Sequence, residues 1–213
     1  MTMAAWPRLY AIVDVAVARH AGWNPVDLTK AYLEGGARLL QLRAPGEPTG
    51  EQLTLCQEMV RLASSANARV IVNDRSDLAL MSGAAGVHVG QDDLPVSAVR
   101  KLLGPAAVVG LSTHDLDQVN AARSEAVSYV AIGPVFDTRT KETGYQAIGL
   151  EFVRRVAEAV GERPLVGIGG IRLETAASVI SAGATSVAVI ADLLSGGNPA
   201  QRVRCYLDVL GER

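Results

Sequence analysis

Short apolar, β-branched runs recur along the chain. They lie at 9–14 (LYAIVD), 39–43 (LLQLR), 70–73 (VIVN), 86–90 (GVHVG), 108–112 (VVGLS), 129–133 (YVAIG), 165–169 (LVGIG) and 186–190 (SVAVI). Between them, segments such as PVDLTKAYLEGGA, GEQLTLCQEMVRLASSAN, PVSAVRKLLG and GLEFVRRVAEAVG space their apolar residues three and four apart, as an amphipathic helix requires. Several of these segments close on a glycine (Gly36, Gly104, Gly161, Gly183), a common helix stop. Near-continuous apolar runs predict strands buried on both faces, and strands alternating with helices pair in parallel through crossovers. Eight such units in 213 residues predict a (β/α)8 TIM barrel, one domain over residues 1–213, with no Pro-rich linker or composition shift to divide it. An open doubly wound sheet is the competing fold. It would more often carry a GxGxxG turn after the first strand, and IVDVAVARHAGW has none.

A barrel of this class carries its chemistry where the strands end. The polar residues follow that rule. Strand ends offer Gln41 and Arg43, Asn73 and Asp74, Gln91 to Asp93, Ser112 to His114, Thr138 to Lys141, and Gly169–Gly170, whereas strand starts offer Leu, Val and Tyr.

Composition narrows the partners. An apolar content of 49% excludes disorder, and no apolar run reaches the roughly 18 residues of a membrane span. The start of the chain, MTMAAWPRLYAIVD, lacks the features of a signal peptide. Cys56 and Cys205 each lie inside a helical pattern and read as reduced thiols, so a cytoplasmic location is expected. A net charge of −2 gives no electrostatic reason to expect nucleic acid or an anionic membrane, and 4% aromatic residues leave little for base stacking. Arginine outnumbers lysine seventeen to three among the basic residues, which makes Lys141 in a loop less of a surface accident.

Asp74 and Asp93 follow neighbouring strands, which in a barrel run about 4.8 Å apart, so both carboxylates can reach one ion. A few hard oxygen ligands completed by water and phosphate describe magnesium. The alternatives are a helix cap by Asp74 and Asp77 and a turn at Asp92 and Asp93 before Pro95. Arg43, Ser112 and Lys141 lie on the same rim, where with magnesium they could hold a diphosphate and stabilise its departure. The GIGGI and VAVIAD segments end the last two strands, where barrels often bind a phosphate monoester. His88 lies within a strand and reads as packed or hydrogen-bonded. His114 is placed at the mouth or in a helix cap, and His20 in a loop.

In this order and spacing, QLR (41–43), NDR (73–75), GVHVGQDDLP (86–95), GLSTH (110–114), GPVFDTRTK (133–141) and GIGGI (167–171) resemble the thiamine-phosphate synthase family. The resemblance implies a transferase that joins 4-amino-2-methyl-5-hydroxymethylpyrimidine diphosphate to 4-methyl-5-(2-phosphoethyl)thiazole, releasing diphosphate and thiamine phosphate. It implies Mg2+ at Asp74 and Asp93. It implies the pyrimidine diphosphate at Gln41, Arg43, Asn73, Ser112 and Lys141, with Arg43, Ser112 and Lys141 catalytic. It implies the thiazole phosphate at Thr138, Thr140, Gly170, Ile190 and Ala191. Family chemistry is dissociative: diphosphate leaves first and the thiazole nitrogen attacks the pyrimidine methylene cation.

Two positions depart from the family pattern. Pro45 stands where the family has lysine, with Arg75 or Arg139 as conceivable substitutes, and Ala191 stands where it usually has serine. Both changes favour a relative, like the thiazole tautomerases or regulatory members, that binds thiazole phosphate without coupling. The retained Asp74, Asp93, Ser112 and Lys141 favour the synthase. A Schiff-base aldolase using Lys141 is less well matched, because Arg139 sits beside that lysine and paired carboxylates would be superfluous.

Overall fold

A computed structural model describes residues 6–138 and 144–212. The strands are β1 (Leu9–Asp14), β2 (Leu39–Arg43), β3 (Arg69–Asn73), β4 (Gly86–Val89), β5 (Val108–Thr113), β6 (Tyr129–Ile132), β7 (Leu165–Ile168) and β8 (Ser186–Val189). Each pairs in parallel with its sequence neighbours, and β8 pairs with β1, closing the expected eight-stranded barrel. The helices are α1 (Val15–His20), α2 (Pro25–Gly35), α3 (Thr49–Ser65), α4 (Ser76–Ser82), α5 (Val96–Leu103), α6 (Leu116–Ala122), α7 (Gly149–Val160), α8 (Leu173–Ser181) and α9 (Pro199–Leu210).

Alternate residues on each strand enter different cores, as the period of two demands. Leu9, Ala11 and Val13 of β1 join Leu40, Leu42, Val70, Val72, Val87 and Val89 in the layer between strands and helices. Tyr10, Ile12, Leu39, Ile71, Val108, Tyr129, Ala131, Val166 and Ala188 fill the barrel interior. Trp6, ahead of β1, packs on Tyr129 with ring centroids 5.1 Å apart. Continuing each inward series towards the strand end brings up Asp14, Gln41, Arg43, Asn73, His88 and Ser112. The floor of the site and the top of the core are thus one layer of side chains.

Two local features differ from expectation. His20, expected in a loop, is the last residue of α1, because Asp14 accepts a hydrogen bond from Val17 N and turns the chain helical directly after β1. Arg75, not Asp74, occupies the N-cap position of α4, and no side chain caps that helix. The final helix, α9, lies against α2, where a Cβ on Gly35 would come within 2.6 Å of Ala200 O, so only glycine allows the approach.

Burial pushes the phenols of Tyr10, Tyr32, Tyr129 and Tyr206 above their ordinary value of 10.0. The unfolded chain would release these protons above about pH 10 while the folded chain keeps them. Their contribution to stability is therefore complete below that pH and is lost as pH rises. In an alkaline titration, tyrosinate absorbance from these four residues should appear together with the loss of helical circular dichroism, not before it.

Candidate active site

A cavity of about 1630 Å³ opens at the ends of the strands. Its lining includes Gln41, Arg43, Asn73, Ser112, Thr138, Gly170, Ile190 and Ala191, eight of the residues that the sequence pattern singled out. Asp74 and Asp93 are not among its lining residues. Thr140 and Lys141, with Arg139, fall outside the described residues.

Arg43 ends β2 beside Asp14, its register partner on β1. Its Nη1 donates to Asp14 Oδ2 at 2.5 Å, while Asp14 Oδ1 accepts from Val17 N. Asp14 is only 2% exposed and Arg43 18%, so this is a largely buried pair, not the surface pair that a charged strand end could also have made. One carboxylate caps a helix and aims a guanidinium across the floor of the cavity. Asp14 was not singled out from the sequence. The available signal was its place as the lone polar residue closing the apolar run LYAIVD.

Gln41, His88 and Ser112 belong to a buried hydrogen-bond chain. Gln41 Nε2 donates to Tyr10 Oη at 2.8 Å, and Tyr10 Oη lies 3.1 Å from Tyr129 Oη. His88 Nδ1 lies 2.8 Å from Tyr129 Oη, and His88 Nε2 lies 2.8 Å from Ser112 Oγ. His88 is hydrogen-bonded, as its strand position implied, and it also lines the cavity. His114 is at the mouth. Its Nδ1 meets Gly133 O at 2.7 Å and its ring stacks on Tyr145, with centroids 3.8 Å apart.

Both acidic residues are tied to the end of β4. Asp74 N donates to His88 O at 2.8 Å, and Asp93 Oδ2 accepts from Gly90 N at 2.7 Å, so the turn weighed for Asp93 is present. Asp74 adopts a left-handed backbone with φ 62°, uncommon outside glycine though more accessible to Asp and Asn than to most residues. No group of three or more His, Cys, Asp or Glu suited to a metal exists among the described residues. Asp74 directly follows β3 and Asp93 lies four residues past the end of β4, and their carboxylates are hard oxygen donors of the kind magnesium takes.

On the opposite side, the end of β7 faces the segment after β6. Gly170 has φ 65°, and a Cβ there would fall 2.5 Å from Asp137 O and 2.7 Å from Phe136 O. Val135 N and Phe136 N donate to Ile168 O and Gly169 O. The glycines are thus required by close contact between two loops, which presses Asp137 and Thr138 against the same wall of the cavity. After β8, Asp192 Oδ2 accepts from Leu173 N at 3.1 Å, Arg202 Nη2 at 2.7 Å and Tyr206 Oη at 2.5 Å. Asp192 binds the turn Ala191–Gly197 to the starts of α8 and α9. Arg172 and Arg202 also line this end, together with the carboxylates of Asp137, Glu174 and Asp192, and Arg202 is already paired with Asp192 at 2.7 Å and Glu174 at 3.9 Å.

The two departures can now be located. Pro45 is not in the cavity lining. It lies in a turn beside Gly46 at φ 83°, and the loop is held by an ion pair between Glu47 and Arg19. Arg75 is turned away from the cavity lining, and its Nε and Nη2 donate to Asp77 at 2.9 and 2.6 Å.

Residues 9–193 match the sequence family described as thiamine monophosphate synthase. The chain belongs to that family. It is 43% identical over 209 residues to a thiamine-phosphate synthase of Koribacter versatilis, covering 96% of each chain. It is 42% identical over 188 residues to the thiamine biosynthesis bifunctional protein ThiM/ThiE of Symbiobacterium thermophilum, spanning 88% of this chain but 39% of that larger protein. Among solved structures, a thiamine phosphate pyrophosphorylase from Pyrococcus furiosus superposes with a TM-score of 0.86 at 28% identity, covering 96% of this chain and 95% of that one. No helix among the described residues is long and apolar enough to cross a membrane.

Replacing Asp14 by Asn keeps an acceptor for Val17 N but removes the charge facing Arg43. Breaking a fully buried pair costs about 3–5 kcal/mol, and Arg43 retains some contact with water, so a loss of roughly 1–3 kcal/mol is expected. Urea denaturation of the two proteins checks it.

Proposed function

We propose that the protein is a thiamine-phosphate synthase. It would couple 4-amino-2-methyl-5-hydroxymethylpyrimidine diphosphate with 4-methyl-5-(2-phosphoethyl)thiazole to give thiamine phosphate and diphosphate, in the cytoplasm. The observation that supports this reading is one cavity lined by polar residues of β2, β3 and β5 and by the turns after β7 and β8. Gln41, Arg43, Asn73 and Ser112 stand at one end, and Gly170, Ile190 and Ala191 at the other.

In the reaction the bond between the pyrimidine methylene carbon and the diphosphate oxygen breaks, and its electron pair leaves with diphosphate. The thiazole nitrogen then donates its lone pair to the methylene carbon. No proton transfer is required, so positioning and charge stabilisation are the enzyme's main tasks. Arg43, held by Asp14, would neutralise charge growing on the leaving oxygen, and the Ser112 hydroxyl would hydrogen-bond the same group. Lys141 would add a second cation. A magnesium ion held by Asp74 and Asp93 would supply Lewis-acid stabilisation of the diphosphate. Thr138, Thr140 and the Gly170 and Ile190–Ala191 turns would seat the thiazole phosphate, with Arg172 adding a cation at that end.

Purified protein with both substrates and magnesium should form thiamine phosphate and diphosphate in equal amounts, and EDTA should stop it. Arg43→Ala should lower kcat by about 10²–10³, the cost of removing one preorganised charge-stabilising group. Absence of product with thiazole phosphate still bound would instead favour the relative that binds without coupling.

A further inference from the structure

The two ends of the buried hydrogen-bond chain are both residues assigned to the pyrimidine diphosphate, Gln41 and Ser112. The three groups between them, Tyr10, Tyr129 and His88, have no assigned role. The order of protons along the chain follows from what each group can donate. The Gln41 amide nitrogen is a donor only, and it donates to Tyr10 Oη. A phenol has one proton, so Tyr10 passes its own to Tyr129 Oη, its other partner. Tyr129, having accepted, donates to His88 Nδ1. That nitrogen must then carry a lone pair, which leaves the imidazole proton on Nε2, facing Ser112 Oγ.

We propose that the chain Gln41–Tyr10–Tyr129–His88 fixes the direction of every proton along it. His88 thereby presents Nε2–H to Ser112, and the Ser112 hydroxyl turns its own proton into the cavity, towards an anionic oxygen of the diphosphate. The identity of that oxygen rests on the synthase reading; the proton order does not. Tyr10, Tyr129 and His88 are positioning residues, because they act on the substrate through Ser112.

Two independent features of the barrel support a built relay. The Tyr129 ring occupies the space where a Cβ on Gly110 would stand, 2.0 Å from the ring carbon Cζ and 2.3 Å from the hydroxyl. The glycine of the GLS segment thus makes room for the tyrosine, its register partner on the next strand. The His88 ring stacks on Tyr129, with centroids 5.5 Å apart and planes 17° apart, which holds Nδ1 at the hydroxyl. Burial pushes both phenols upward, so each keeps the proton that the relay needs.

The opposite order is chemically possible if the Gln41 amide presents its oxygen to Tyr10. Every proton would then reverse, His88 would carry its proton on Nδ1, and Ser112 would donate inward. Side-chain nitrogen NMR of the protein labelled with 15N-histidine separates the two orders without any turnover, with the His88 signal assigned by its absence in His88→Gln. The Nε2–H tautomer is expected in the parent protein, and Tyr129→Phe, which removes the donor to Nδ1, should no longer enforce it. The Nδ1–H tautomer in the parent would overturn the proposal.

Calorimetric binding of inorganic diphosphate with magnesium gives a second test. Ser112→Ala and Tyr129→Phe should each weaken affinity by roughly tenfold, about the value of one hydrogen bond to a charged group. The double variant should be no weaker than Ser112→Ala alone. Losses that multiply would show that Tyr129 acts by packing and not through Ser112, and would overturn the proposal. A protein that made no thiamine phosphate yet showed the Nε2–H tautomer would sink the synthase reading while leaving the proton order standing.

Discussion

Closing eight parallel strands into a ring leaves each side chain two directions only, into the barrel or towards the helices. Most features of this molecule depend on that constraint. The outward series is aliphatic and meets the helices, while the inward series begins with Tyr10, Leu39, Ile71, Val108 and Tyr129 and ends with Asp14, Arg43, Asn73, His88 and Ser112. A slip of one residue in β1 or β2 would send its charged end into the aliphatic layer and its aliphatic residues into the cavity. Register is therefore specified as strongly by the site as by the core.

The same geometry explains how polar groups survive beneath the cavity. Tyr10 and Tyr129 are almost fully buried, and each phenol is paired on both sides by neighbours that the closure brings across the barrel. An unpaired hydroxyl there would cost about 1–3 kcal/mol, so the network stabilises the fold only as a complete set. Asp14 works in a similar way at the first strand, where one carboxylate satisfies both a helix terminus and a guanidinium. Rigidity reaches the site through these shared partners, which suits a reaction that depends on positioning more than on proton transfer.

At the far wall, stiffness comes from the backbone. Gly169 and Gly170 have positive φ and lie against Pro134, Phe136 and Asp137 so closely that no side chain could intervene. The loops after β6 and β7 therefore form one wall, and Asp192 ties the turn after β8 to α8 and α9. The wall holds its shape without Ala191 contributing a side-chain donor.

Strand order, helix alternation and the polar residues at the strand ends were legible in the sequence, because burial on two faces and amphipathic spacing are local patterns. Asp74 and Asp93 could be placed near one another from strand adjacency alone. Their attachment to β4, and the fact that neither lines the cavity, required coordinates. Arg43 was visible as a cation at a strand end, but its clamp was not, since Asp14 is 29 positions away and a single carboxylate carries no motif. The Tyr10–Tyr129 contact spans 119 positions, and in the sequence both tyrosines read as ordinary apolar filling. Arg172 and Arg202 gave no sign, because each sits on a segment whose position is decided by helix packing. The sequence by itself determined the order of the strands and the end of the barrel at which the polar residues gather. Only the tertiary structure decided which inward groups pair, since hydrogen bonds across a barrel join residues that share space and no common stretch of chain.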